Sequence, residues 1–324
     1  MTKSPASLSS PSNPLTRLMG QPYLLLTLSA LFWGANIIAG KMAIGELDPY
    51  ALSVMRWLVA FVIIAPFAWT SLRAEWAEVR RGWGWLAFYG ILGFTSFNVL
   101  LYAATTHTAA VNVAMIQAAI PVLVMVGNFA IFRVRASGLH IVGVVLTIYG
   151  VIHVATHGSP LRLVGLDVNI GDAMMLLAAL FYALHSLMLR YKPKIGWLSF
   201  IACTSFFAML AACGYQLVFG TGPLGLVAEV TTMSWRGWTV VLYVALLPSI
   251  VAQMTYARGV ELIGPNRGSL FINLIPVFGA LLAVFILGET LEIFHMIAAA
   301  FIIAGIGIAE YAARRNLREI LKPQ

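Results

Sequence analysis

The chain predicts an all-α fold, a polytopic membrane protein of ten transmembrane helices built as two inverted five-helix repeats. Three observations predict it. Apolar residues make up 60% of the 324 residues and charged ones 10%, at a mean hydropathy of +0.89, whereas a soluble domain carries about 25% charged residues. A chain this short of charge cannot cover its surface in water, which excludes a cytosolic enzyme, a disordered chain and a secreted disulfide scaffold. Apolar runs of the length that crosses about 30 Å of hydrocarbon recur ten times. Short patterns of the first half also return in the second, at a nearly constant offset.

Residues 1–21 hold Ser4-Pro5 and Ser9-Ser10-Pro11-Ser12-Asn13-Pro14, carry almost nothing to bury, and predict a disordered cytoplasmic tail. The first apolar run, Tyr23 to Gly40, is too long for a signal-peptide core and is interrupted by Trp33 and Asn36, so it reads as a membrane helix. The predicted spans are 22–41, 49–70, 84–104, 110–132, 138–156, 170–190, 197–219, 237–257, 266–287 and 292–312. Their continuous apolarity argues against barrel strands, which alternate and need half the length. They divide into a first repeat over 22–160 and a second over 165–312, followed by a basic cytoplasmic tail over 313–324. Cys203 and Cys213 are too far apart along one helix to bridge, and read as small hydrophobes.

Lys and Arg set the orientation. Sixteen fall in the two tails and in the loops after the second, fourth, sixth and eighth spans, against Lys41, Arg162 and Arg236 on the other side. Cytoplasmic loops collect positive charge, so both termini are expected in the cytoplasm, which an even span count also requires. The net charge of +8 therefore reads as membrane orientation, not as a nucleic-acid surface.

The repeat is visible in register. Ala30-Leu31-Phe32-Trp33 returns 149 residues later as Ala179-Leu180-Phe181-Tyr182. Tyr102-Ala103 returns after 154 residues as Tyr256-Ala257, and Pro121-Val122 after 155 as Pro276-Val277. Five spans per half is an odd number, so the second half enters the membrane upside down. Inverted repeats are an architecture of alternating-access transporters, with substrate held near the midplane between the halves.

Ser29-Ala30-Leu31-Phe32-Trp33-Gly34-Ala35-Asn36, ending in Gly40-Lys41, resembles the first span of the EamA-type, ten-span members of the drug/metabolite transporter superfamily. Pro276, Leu287-Gly288-Glu289 and the Gly305 and Gly307 of the last span are similar to that family's second repeat. The resemblance covers about residues 22–312 and is nearest to the YddG-type amino acid exporters of bacterial inner membranes. It implies export of amino acids. One departure is that Arg133-Val134-Arg135 stands where the second repeat has Gly288-Glu289.

No catalytic constellation is present: no HExxH, GxSxG or phosphate-binding loop, and no paired carboxylates in mid-span. Asp172 lacks the partner an aspartyl protease needs, and His153 and His157 lie where a helix ends, as interfacial histidines do. No cofactor or metal is expected. Polar residues at helical spacing instead mark inward faces, because polar atoms face lipid only at a cost. Those expected to bind substrate are Trp33 and Asn36 in the first span, Thr95, Asn98 and Tyr102 in the third, Tyr182 and His185 in the sixth, Gln253 and Tyr256 in the eighth, and Asn273 in the ninth. Asn112 and Gln117 of the fourth span, Ser249 of the eighth and Asn266 of the ninth belong to the same polar stripes. The competing reading is helix–helix hydrogen bonding. Asn36 and His185 are expected to face each other across the pseudo-twofold axis. Arg56, inside the second span, reads either as a contact for a substrate carboxylate or as an arginine snorkelling near the outer face. Pro121 and Pro276 read as hinges or as static kinks. Glu289 and Glu292 read as helix starters in an outer turn.

Together these residues predict a transporter with an uncharged central cavity, exporting small neutral or aromatic amino acids and related metabolites. The chain is expected to act as a monomer in the bacterial inner membrane, with lipid and a small molecule as its partners. A proton-coupled exporter of lipophilic cations is the alternative, and an integral membrane enzyme or receptor a more distant one.

Overall fold

A computed structural model describes residues 18–133, 137–159 and 169–320 of the chain. The predicted tail through Arg17, the loop residues Arg135 and Arg162, the boundary between the repeats and the end of the chain at Lys322 lie outside them. The described residues contain helices and turns and no strand. Helix α1 runs from Pro22 to Met42 and α2 from Pro49 to Ala74. Asp48 starts α2 by accepting the Ala51 amide at 2.6 Å, with Pro49 in the first turn where a missing N–H is harmless. Then come α3 (Trp76–Phe88), a π-helical segment (Tyr89–Ser96) and α4 (Phe97–His107), continuous in direction. Helices α5 (Ala110–Gln117), α6 (Ile120–Phe132) and α7 (Gly138–Ala155) complete the first half.

The second half opens with α8 (Ile170–Met188), α9 (Trp197–Val218) and α10 (Gly222–Thr232). It continues through α11 (Trp235–Leu246), a second π-helical segment (Leu247–Val251) and α12 (Ala252–Ile263). After the four residues of α13 (Pro265–Gly268) and a 3₁₀ turn (Ser269–Asn273) come α14 (Leu274–Leu287) and α15 (Ile293–Ile320).

Among the described residues, seven helical stretches are long and apolar enough to cross a membrane: 22–42, 49–74, 76–107, 110–132, 170–191, 197–218 and 235–263. The apolar helices over 141–155, 271–287 and 293–309 are shorter. The third predicted span begins eight residues before its apolar run, at Trp76 instead of 84. Arg80 and Arg81, expected in a loop, are helical there because the amphipathic stretch preceding the run simply continues its turns. The predicted basic tail likewise starts as helix, α15 continuing to Ile320. Helix α10 was not expected; it fills the connection before α11.

Pro121 and Pro276 do not bend continuous helices, unlike Pro66, which lies inside α2. The fourth predicted span breaks at Ala118–Ala119, placing Pro121 in the first turn of α6, and Pro276 lies in the first turn of α14 behind the 3₁₀ turn. A residue without an N–H costs least where the helix has no bond to lose.

Helix α15 packs along α7, α9 along α2, α14 along α1 and α8 along α4. Glycine sets the closest approaches. A Cβ on Gly34 would lie 2.9 Å from Gly279 N and Ile275 O of α14, and one on Gly305 would lie 2.6 Å from Gly143 O.

At the end of the bundle that holds the α1–α2 turn, carboxylates accept backbone amides across the two halves. Glu46 accepts the Ser234 hydroxyl at 2.6 Å and its amide at 3.0 Å, and these bonds hold its carboxyl below the usual carboxylate range. Glu229 accepts the Asp48 amide at 2.9 Å. Glu289 accepts the Ala110 and Val111 amides at 2.8 and 2.9 Å. It therefore caps α5, in the other half, instead of starting its own helix. The Glu292 amide donates to His295 Nδ1 at 3.0 Å, and His295 Nε2 meets Asn112 Oδ1 of α5 at 2.8 Å. Replacing Glu289 by Ala leaves two amides at the α5 N-terminus without their cap. The expected cost is about 1–2 kcal/mol, read as a lower melting temperature in detergent, with Gln restoring part of it.

Candidate functional site

Arg56 stands on α2 with its residue only 3% exposed. The snorkelling expected of an arginine near a helix end is not what its side chain does. Nε donates to Ser249 Oγ of the second π-helical segment at 2.8 Å. Nη1 donates to Asn36 Oδ1 at 2.9 Å, to Asn98 Oδ1 at 2.7 Å and to the Tyr102 hydroxyl. The guanidinium also sits 4.8 Å from the centre of the Trp57 ring, a cation–π geometry.

Each acceptor is held in turn. Asn36 Nδ2 donates to Asn98 Oδ1 at 3.1 Å, Tyr102 OH to Asn36 Oδ1 at 2.8 Å, and Asn98 Nδ2 to Phe94 O at 2.6 Å. Ser249 donates to Val244 O at 2.7 Å, five residues back as a π-helical turn permits. No carboxylate takes part. Among the described residues the one salt bridge joins Arg258 to Glu261 on the surface, so Arg56 is a buried cation balanced by dipoles alone. Such a charge in a membrane is costly to keep, and its Nη2 donates to no described residue.

Beside this network lies a cavity of about 60 Å³. Trp33, Asn36, Asn98, Tyr182, Gln253 and Asn273, all singled out in the sequence, line it, as do Arg56 and Gln117 and the prolines Pro121 and Pro276. An uncharged cavity was expected; the presence of Arg56 in its wall corrects that. Trp33 is oriented by its Nε1, which donates to Pro248 O at 3.0 Å. Ligand pockets usually start near 300 Å³. This space holds a few waters, and its walls must part to admit an amino acid.

Four of the expected residues are not in the cavity wall. Thr95 is fully buried and its hydroxyl donates to Ala208 O at 2.7 Å, joining the π-helical segment to α9. Tyr102 stands behind Arg56 as its support, and Tyr256 stands behind Trp33 with ring centroids 5.4 Å apart. His185 packs on Gly93, where a Cβ would come within 2.0 Å of Nδ1, and its ring lies among Tyr89, Phe94 and Tyr182. Asn36 and His185 therefore have separate sets of partners and do not form the expected facing pair. Residues without a polar signal also line the wall, among them Trp57, Phe94, Phe97 and Leu101. Trp57 could have been found as the neighbour of an intramembrane charge; the others look like any core hydrophobe.

Tyr102→Phe removes a hydroxyl that accepts from Arg56 and donates to Asn36. In a fully buried network the expected loss is about 1–3 kcal/mol, measured as thermal stability of the purified protein with helix content unchanged.

The pattern of one protein family, the EamA-like transporter family, matches residues 21–156 and again residues 169–310. The chain is 24% identical to a protein of Clostridium kluyveri described as an uncharacterized transporter, over 94% of this chain and 97% of the relative. It is 23% identical to the uncharacterized transporter YyaM of Bacillus subtilis, over 88% of this chain and 92% of the relative. A solved crystal structure superposes with a TM-score of 0.62 at 17% identity, covering 90% of this chain and 98% of that one, a likeness of fold.

Proposed function

Since the chain belongs to the EamA-like transporter family, and so is a multi-pass membrane transporter, we propose that it exports small neutral or aromatic amino acids by alternating access. The proposed setting is the bacterial inner membrane, with both termini cytoplasmic. Ten spans in two inverted repeats are the proposed architecture. The double match of one family pattern supports it, as do the π-helical segments over 89–96 and 247–251 and the helix breaks before Pro121 and Pro276. These features recur at the offset that relates the halves in sequence.

Arg56 carries the substrate reading. A buried guanidinium with a free Nη2 in a cavity wall is a ready partner for a substrate carboxylate, and a charge-assisted bond there is stronger than a neutral one. The rings of Trp33, Trp57 and Tyr182 suit an apolar or aromatic body. Trp33, Asn36, Asn98, Gln253 and Asn273 are proposed to contact substrate directly. Tyr102, Tyr256, Thr95 and His185 are proposed to position those contacts. The same cation disfavours the alternative: an exporter of lipophilic cations needs a carboxylate in its cavity, and the wall offers a guanidinium.

Movement is proposed at the broken helices. The α5–α6 break and the 3₁₀ turn before α14 free backbone groups beside the cavity, and a break costs less to rotate than an intact helix. Pro121 and Pro276 mark these hinges. The cap from Glu289 to α5 and the clasp of Glu46 on Ser234 would close one face.

The test is counterflow in proteoliposomes loaded with unlabelled amino acid. Labelled neutral and aromatic amino acids are expected to exchange without a pH gradient. Arg56→Gln should lower exchange about tenfold or more, the loss of one buried charge-assisted bond. Exchange of a cationic dye alone, under a proton gradient only, would overturn the reading.

A further inference from the structure

Resting on that transport reading, we infer that the cavity selects monocarboxylates of net negative charge with an apolar or aromatic body. It prefers the deaminated acid, such as a 2-oxo or 2-hydroxy acid, to the amino acid with the same side chain. The charge count of the wall carries this. Arg56 is the one charged group among the lining residues, which include no Asp, Glu, Lys or His. A bound carboxylate neutralises it and leaves the site balanced. A bound amino acid does the same with its carboxylate, then adds an ammonium that meets no counter-charge in a setting of low dielectric.

The hydrogen-bonding groups have the same bias. Donors are left over. Arg56 Nη2 donates to no described residue, and Trp57 Nε1, on a side chain 1% exposed in the same wall, is buried without a partner. These are what two carboxylate oxygens require. The acceptors beside these two donors are taken. Asn36 Oδ1 already accepts from Arg56 and Tyr102, and Asn98 Oδ1 from Arg56 and Asn36. Pro248 O accepts from Trp33, and Phe94 O from Asn98.

The wall keeps three amides with uncommitted oxygens: Gln117, whose Oε1 is buried without a partner, and Gln253 and Asn273, whose side chains make no hydrogen bond among the described residues. Each is a neutral amide, whose oxygen and nitrogen are exchanged by a half-turn. Each therefore serves a 2-oxo or 2-hydroxy oxygen as readily as an ammonium, and gives the ammonium no counter-charge.

A panel of four ligands with one phenyl body separates the groups: phenylpyruvate, 3-phenylpropanoate, phenylalanine and 2-phenylethylamine. Two readouts are made on the whole protein, thermal stabilisation in detergent and inhibition of labelled phenylalanine counterflow in proteoliposomes. Both acids are expected to act at concentrations about tenfold below that of phenylalanine, and the amine to act in neither assay. Arg56→Gln should abolish the effect of the acids. If that variant does not fold, the wild-type order of the four ligands decides alone.

Equal action by the amine, or phenylalanine acting below both acids, overturns the inference while leaving the transport reading in place. Stabilisation by the acids with no exchange of any ligand in proteoliposomes overturns the transport reading and leaves the site assignment. If no ligand stabilises or exchanges, both are wrong.

Discussion

A guanidinium held in the membrane by neutral partners organises the centre of this protein. Arg56 reaches from α2 to Asn36 on α1, to Asn98 and Tyr102 on α4, and to Ser249 in the second π-helical segment. Four separate stretches of chain are thus placed by one side chain. Because none of the partners is charged, their arrangement is dictated by hydrogen-bond geometry: two amide oxygens turn toward the cation, and their NH₂ groups turn away to Asn98 and to Phe94 O. A carboxylate in place of either asparagine would have cancelled the charge and closed the network. Leaving it open leaves a buried cation with no counter-charge among its hydrogen-bond partners.

Local backbone irregularity serves the same centre. The segment Leu247–Val251 presents Ser249 to Arg56 and the carbonyl of Pro248 to Trp33, and a regular α-helix would direct both elsewhere. The segment Tyr89–Ser96 brings Gly93 against His185 and lets Thr95 bond across to α9. Irregular backbone inside a membrane is tolerated where protein covers it or a cavity adjoins it. These segments meet both conditions, and they lie where the packing is shaped around the site. The small cavity, a space of a few waters, is bounded by these broken elements.

The two ends of the bundle differ in chemistry although the halves resemble each other. After α14, Gly288 takes a left-handed conformation, with φ of 70°, and Glu289 reaches α5. After α6 the corresponding residue is Arg133, left-handed at φ of 54° without glycine's freedom, and an arginine follows two positions on. The second half has Pro265 at the place of Val111, which offers no amide, and at the place of Ala110 the Gly264 amide donates to Val260 O at 2.8 Å. The other face has a different tie, Glu75 after α2 accepting the Gly196 amide before α9 at 2.9 Å, so the two faces of a repetitive architecture are held at different helices.

Much of this was legible in the order of residues. Apolar run length, the scarcity of charge and the recurrence of short patterns determine an all-helical membrane protein and locate its helices, because burial in lipid constrains every backbone group locally. Helical spacing also marked Trp33, Asn36, Asn98, Tyr182, Gln253 and Asn273, since a polar residue in such a run has few places to go. Spacing could not say how far a polar side chain lies from the cavity. Thr95, Tyr102, Tyr256 and His185 share those faces, yet their polar atoms or rings are committed to neighbours from other helices. The largest difference concerns Arg56, for which sequence left a snorkelling and a binding reading side by side. Only the tertiary structure decided where the guanidinium goes, because its four hydrogen-bond partners come from positions 20 to 193 residues away and their convergence is a property of packing, not of any one helix.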